Sequence, residues 1–550
     1  MNTLLVHPRL PLTYWGFQHS LDLIGKRASL PPLGLLSLAA LLPRHWQVRL
    51  VDLNVTPLSD DDLRWADLVL TGGLLIQAES LHSIIARSRA FELPVAVGGP
   101  APTTSPELFT DADIVFRGEA EGRIDELVEA LARAPRSQQI LDAPADYPEM
   151  ETVPPPRFDL LDLKQYASMS LQYSRGCPFR CEFCDIVAIF GHRPRVKTPE
   201  QVLTELESLY LLGYRGTLFF VDDNFIGNRR EVKRLLPRLR EWQRAHGHPF
   251  ELYTEASVDL AADPMLLADM AEAGFTSVFV GIETPSHKAL EQAKKLQNLR
   301  LDLSEAVDRI TRAGLEVMGG FIVGFDSDDE GVFAEQRQFL ARQPIPLAMV
   351  GLLTALPGTE LWTRLEKEHR LRARSSGETF ARPNFAPAMD ERALITGYAK
   401  LLGWLYSADA YYARCHAYLH SAGRRPAARA STSGEWGALL CAIWRVGVLS
   451  QRRLLFWRLM GAALLHGRDR LRQAVVHAVQ GEHLIRYTRE QVLPRLEAAL
   501  SEILAESLSP STAYQAPAIS EPFTPTAPLG WRGVTGRPHE NEGSRDDATR

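Results

Sequence analysis

Three cysteines stand four and three residues apart in the run Cys177-Pro-Phe-Arg-Cys181-Glu-Phe-Cys184. Thiolates are soft ligands, suited to iron–sulfur clusters, zinc or copper(I). Structural zinc takes four ligands, often from two paired cysteine motifs. The other cysteines, Cys415 and Cys441, stand alone, and His192 is the nearby residue able to complete a zinc site. Three thiolates on a 4Fe–4S cluster leave one iron open, and an open iron can bind substrate as well as carry electrons. A chance group of buried cysteines fits poorly beside Gly176, Pro178, Arg180 and Glu182. Iron–sulfur is therefore the favoured reading, with Cys177, Cys181 and Cys184 as metal-ligating and catalytic candidates.

The elements that must hold this loop form two βα series. In the first, short β-rich runs (Leu4–His7, Val48–Leu53, Leu68–Thr71, Val95–Gly98, Ile114–Phe116) alternate with helical stretches at Leu33–Leu42, Ala78–Ser88 and Glu121–Arg133. Such alternation predicts an α/β fold with a parallel sheet covered on both faces. Gly72-Gly73, Gly98-Gly99 and Gly118-Glu119 end three of these strands, where ligands of open parallel sheets sit. A second series begins with Met169–Ser174 just before the cysteines. It continues through Thr217–Val221, Glu251–Glu255, Ser277–Ile282, Glu316–Val323 and Ala348–Leu353, with helices between. Six units in about 190 residues predict a partial barrel, because a full eight-fold one needs roughly 250 residues. The boundaries expected are residues 1–140 and a proline-rich linker at 141–165, then the barrel at 166–384. A helical, arginine-rich region at 385–506 and a disordered tail at 507–550 complete the chain.

The cysteine loop, including Phe183 before its last cysteine, resembles that of the radical S-adenosylmethionine (SAM) superfamily, and the likeness extends along the barrel. It implies that the open iron chelates SAM, and that reduction cleaves SAM to a 5′-deoxyadenosyl radical. On this likeness Asp222, Asp223 and Asn224 stand at the motif contacting the SAM amino group, though they depart from the common Gly-Gly-Glu. Glu255 and Ser257 stand at the ribose and carboxylate pair, Glu283 ends the fourth strand, and Ile322 and Gly324 lie in the segment lining adenine. Polar residues at successive strand ends are where barrels place active sites.

The first domain resembles the flavodoxin-like (Rossmann-type) cobalamin-binding domain that precedes the barrel in one class of these enzymes. That likeness assigns corrinoid contacts to Gly72, Gly73, Gln77, Gly98, Gly99, Gly118 and Glu119. Where many cobalamin proteins have Asp-x-His-x-x-Gly, the comparable stretch here is Asp52-Leu53-Asn54. The cobalt is thus expected to lack a histidine beneath it and to face Leu74, Leu75, Ile76 or Gln77. Further runs, Phe190–Glu200, Val221–Asn228 and Thr254–Ser257, resemble the subgroup containing the hopanoid C-2 methylases, to about residue 490. The resemblance implies a C-methyltransferase acting on an unactivated carbon of a lipid or natural product, supplied with electrons by a flavodoxin- or ferredoxin-type protein. The alternatives are a radical SAM cyclase, epimerase or oxidase, or a noncatalytic iron–sulfur or cobalamin sensor.

Composition bounds these readings. Across 550 residues 45% are apolar and the net charge is −6, an ordinary globular balance with no basic field for nucleic acid. Few cysteines and no signal-like leader predict a cytoplasmic protein. The apolar runs 437–449 and 454–465 are too short to span a bilayer and carry Arg445 and Arg458. They are expected to pack inward with their arginines reaching for water, peripheral membrane contact being the other reading. Arg193, Arg195 and Lys197 are expected either to form a solvated basic face or to meet an anionic substrate or a reductant.

Overall fold

Runs such as Leu4-Leu5-Val6, buried on both sides, mark strands of a covered parallel sheet. The computed structural model describes residues 1–133, 138–144, 146–425 and 433–508. The first sheet comprises β1 (Asn2–His7), β2 (Gln47–Asp52), β3 (Leu68–Gly72), β4 (Val95–Gly98), β5 (Ile114–Phe116) and β6 (Gln139–Leu141). All are parallel, in the order β2-β1-β3-β4-β5-β6. The order reverses between β1 and β3, which opens a cleft beyond their carboxyl ends. The edge strand β6 was not legible in the sequence. It pairs through Gln139, Ile140 and Leu141, so the sheet runs into the stretch read as linker. That stretch is not a free spacer either, because Met150, Val153 and Phe158 are buried.

The second sheet comprises β7 (Ser168–Leu171), β10 (Gly216–Phe220), β11 (Phe250–Ala256), β12 (Phe275–Glu283), β13 (Glu316–Val323) and β14 (Ala348–Leu352). It is wholly parallel, in the order β14-β13-β12-β11-β10-β7, a six-stranded partial barrel. The run expected as one strand, Met169–Ser174, breaks after Leu171. Its end joins a short antiparallel pair, β8 (Ser174–Arg175) with β9 (Arg195–Val196), which brackets the cysteines. Local signals set the crossover helices. Thr198 and Gln201 cap each other's backbone ahead of Pro199–Leu211, with Pro199 at the first helical position; such a cap contributes about 1 kcal/mol.

The C-terminal helices cover the free edge of β14, where the Tyr398 and Tyr406 hydroxyls donate to the Val350 and Ala348 carbonyls at 2.8 and 2.6 Å. The long helix Arg468–Tyr487 crosses the barrel and reaches the first domain, its Val479 carbonyl accepting from Ser20 at 2.6 Å. The expected inward packing of residues 437–465 is only half met. Phe456, Leu459 and Ala463 are buried, but Leu440, Trp444, Leu449, Leu454, Trp457 and Leu465 face outward. No helix among the described residues is long and apolar enough to cross a membrane. The expected disordered tail lies, from residue 509 on, outside the described residues.

Candidate active site

The backbone around the cysteine loop fixes its shape. Gly176 enters it at φ +90°, and a methyl there would stand 2.9 Å from the carbonyl oxygens of Gly191 and Arg193, so glycine is required. The Gly176 amide donates to Asp223 at 3.0 Å, and the Cys184 amide to the Cys181 carbonyl at 3.1 Å. All three thiols are free and partly exposed. Burial pushes Cys177 up and Cys184 to about 12, so each would bind as a thiolate only where a metal takes the sulfur and its proton is released to water. His192, the other residue able to complete a zinc site, is exposed.

Residues that sequence reasoning did not single out complete the surroundings. Lys295 lies 2.7 Å from Glu283 and 6.0 Å above the Phe183 ring. Burial works against its charge, but Glu283 outweighs burial and holds it cationic, and thiolates at Cys181 and Cys184 would add to that hold. Glu283 is held at φ 63°, and the space for this pair exists because residue 281 is glycine: a methyl there would lie 2.4 Å from the Glu283 carboxylate. Gln297 points its amide at the Cys181 sulfur, 3.7 Å away. Phe183 packs with Ile322 and Phe325, and Gly324, at φ +99°, turns the chain so that its amide meets Asp328 at 2.9 Å.

The strand-end carboxylates divide by location. Asp223 and Glu255 line a cavity of about 1920 Å³. Burial, reinforced by Asp223 and Asp222, lifts Glu255 to about 8, so it carries a proton at neutral pH. Burial lifts Asp223 to about 6 against the Gly176 hydrogen bond. Asp222 lies off that wall: it accepts from the Tyr173 amide at 2.9 Å and from the Ser174 amide, fixing the break after β7. Asn224 and Ser257 bond each other at 3.1 Å and line a smaller cavity of about 390 Å³ beside Pro178.

The large cavity extends to the first sheet, where Gly72, Gly73, Gln77, Gly98, Gly99, Gly118 and Glu119 all line it. Three features keep that end free of side chains. A methyl on Gly72 would lie 2.5 Å from the Gly98 carbonyl oxygen, and Gly99 and Gly118 have φ of +94° and +82°. Such a bare edge fits a broad flat macrocycle. Leu74 and Ile76 also line it, whereas Leu75 packs into the first domain's core. The Asp52 stretch does lack a histidine, but His7, at the end of β1, lines the cavity and is kept neutral by burial. Asp52 itself accepts from Asn54 and from the Tyr166 hydroxyl, at 2.7 and 3.0 Å.

Two of the three basic residues after the cysteines depart from both expectations for them. Arg195 and Lys197 are buried. Arg195 clasps Glu119 at 2.6 Å, and Lys197 pairs with Glu205. Arg175, before the cysteines, holds Glu119 at 2.5 Å and Glu121 at 2.8 Å. Glu119 thus ties the first domain to both strands of the β8–β9 hairpin. Only Arg193 is exposed, 3.9 Å from Glu149.

Comparison with known proteins agrees with this geometry. Residues 26–128 match the B12 binding domain, 171–339 the Radical SAM superfamily, and 359–495 a domain of unknown function, DUF4070. The hopanoid C-2 methylase of Rhodopseudomonas palustris is 36% identical over 498 residues, covering 88% of this chain and 93% of that protein. An uncharacterized methyltransferase of Synechocystis sp. is 39% identical over 512 residues, covering 92% and 95%. The solved cobalamin-dependent SAM radical enzyme OxsB, with aqua-cobalamin and SAM bound, shares the fold at TM-score 0.58 and 17% identity, over 92% of this chain and 81% of that one. The radical SAM methyltransferase TsrM from Kitasatospora setae aligns at TM-score 0.51 and 17% identity, over 68% and 79%. At 36% and 39% identity to a methylase and a methyltransferase over nearly their whole length, the chain belongs to the cobalamin-binding radical SAM methyltransferases, enzymes of a 4Fe–4S cluster, SAM and cobalamin.

Proposed function

We propose that this enzyme methylates an unactivated carbon of a polycyclic, largely apolar lipid, of the kind named for its hopanoid methylase relative. The observation that carries the reading is the single cavity joining the glycine edge of the first sheet to Asp223 and Glu255 and then to an aromatic chamber inside the barrel. Phe219 and Tyr253 stack at 4.6 Å, and Trp15 meets Phe279 edge-on at 5.2 Å. These faces bury apolar area and exclude water. Beyond them Glu316 pairs with His477 at 2.9 Å and Glu251 with Arg472, so charges at the far end are already satisfied.

When bound, the cluster, SAM and cobalamin supply radical generation and the methyl group. The chain's own groups have separate tasks. Cys177, Cys181 and Cys184 hold the cluster, and Lys295 offsets the thiolate charge. Protonated Glu255 can donate a hydrogen bond to a polar ligand group, and Asp223 fixes the loop through Gly176. Electrons come from an external protein of the flavodoxin or ferredoxin type.

The test is anaerobic reconstitution with iron, sulfide and cobalamin, then reduction with methyl-labelled SAM and pentacyclic triterpenes. Labelled triterpene together with 5′-deoxyadenosine is the expected result. Deoxyadenosine with an unlabelled product would replace methyl transfer by cyclisation, epimerisation or oxidation. Cluster binding without deoxyadenosine would leave a sensor.

A further inference from the structure

Exposed apolar side chains are concentrated on one part of this molecule. Of the nineteen large hydrophobic residues exposed among the described residues, eight lie between Leu440 and Leu465. They are not scattered. Leu440, Trp444 and Val448 recur every fourth residue along helix Ser433–Ala442 and the wider turns Ile443–Leu449 that extend it. Leu454, Trp457, Leu464 and Leu465 recur along helix Arg453–Leu465, with Leu449 between. The two segments are locked together, since the Trp457 indole donates to the Gly447 carbonyl at 2.8 Å and Gly447 leaves no side chain between them and Phe456. Leu449 is 63% exposed, Leu454 74% and Leu465 86%, so the face is uncovered rather than grazed by solvent. Lone exposed hydrophobics are ordinary; a contiguous set marks an interaction surface.

Charge identifies the occupant. From Gly437 to Gly467 there are four arginines and no aspartate or glutamate, in a chain whose net charge is −6. Arg452 is paired internally with Glu482 at 2.9 Å. Arg445, Arg453 and Arg458 are exposed, without an ion pair among the described residues. Arginines flanking an apolar face that carries two tryptophans match the headgroup and acyl layers of an anionic bilayer. A second copy of the chain would set arginine against arginine. We propose that residues 440–465 form a docking face for the surface of an anionic phospholipid membrane. Ala438 and Leu439, beside the first residue of that face, line the large cavity. Docking therefore sets the cavity wall at the bilayer, where an apolar substrate could pass without crossing water. The docking itself rests on the surface alone and needs no cofactor or turnover.

The test uses the full chain without cofactors, sedimented with phosphatidylcholine vesicles with and without phosphatidylglycerol. Binding to the anionic vesicles, weakened by salt, is expected. The double variant W444E/L454E should bind about tenfold or more weakly, and R445E/R453E/R458E should lose the preference for phosphatidylglycerol. Both should keep the parent's melting temperature, since every substituted side chain is exposed. Absence of vesicle binding by the parent would overturn the proposal, as would equal binding by W444E/L454E. So would a concentration-dependent dimer, without lipid, that shields the tryptophans from a fluorescence quencher. None of these outcomes bears on methyl transfer to a detergent-solubilised triterpene.

Discussion

At the scale of single residues, the most telling groups are those whose surroundings contradict their chemistry. Glu255 is a carboxyl held protonated to about pH 8 beside Asp223 and Asp222. Its ordinary value of 4.5 governs the unfolded chain. Folding therefore loses stability as pH rises from 4.5 towards 8, and the loss is complete above that. Glu255→Gln removes the loss, so the cofactor-free variant should exceed the parent by ~2 kcal/mol or more at pH 9 and by little at pH 4, read by denaturant melts. Gly176→Ala meets both a positive φ and two carbonyl oxygens at 2.9 Å. It should cost about 2 kcal/mol and lower bound iron after reconstitution, measured by melting and iron assay. Cys181→Ala should abolish 5′-deoxyadenosine formation, read by chromatography; persistent cleavage in that variant would overturn the cluster assignment. The cysteine spacing was legible in the sequence because three ligands within eight residues leave a local mark. Lys295 and Gln297 were not, since they reach the thiols from more than a hundred residues away and belong to no motif of their own.

At the scale of elements, the β8–β9 hairpin carries the cysteine loop and also the joint between domains. Glu119 accepts from two buried guanidiniums, Arg175 and Arg195. Removing Glu119 leaves buried Arg195 with no carboxylate and Arg175 with Glu121 alone, a cost of about 3–5 kcal/mol. Glu119→Ala should lower the urea midpoint accordingly and split one unfolding transition into two as the first domain separates. An unchanged midpoint would show that the joint lies elsewhere. The strands themselves were largely legible: Val95–Gly98, Ile114–Phe116 and Glu316–Val323 stand where apolar β-rich runs end in glycine or a polar turn. Edge strand β6 was missed because three half-exposed residues carry no such pattern. The break after Leu171 was missed because Asp222, in the loop just beyond the end of β10, causes it. Arg195 and Lys197 looked solvated because their carboxylate partners, Glu119 and Glu205, show as neighbours only in three dimensions.

At the scale of the whole molecule, two sheets, one cavity and a helical cover make a chamber whose polar ends are set far apart. The order of domains was legible, because βα alternation, proline-rich connection and helical composition each change abruptly along the chain. The outward apolar face at 440–465 was not, because helical periodicity gives two stripes and cannot say which one the fold covers. The two charged regions of the protein should also answer differently to dissolved ions. The arginine–glutamate seam is shut away from solvent, with side chains no more than 10% accessible, and counter-ions reach it poorly. Arg445, Arg453 and Arg458 stand in full reach of electrolyte. Rising ionic strength should therefore peel the protein from anionic lipid while its two halves stay joined, so that one salt titration separates tethering from assembly.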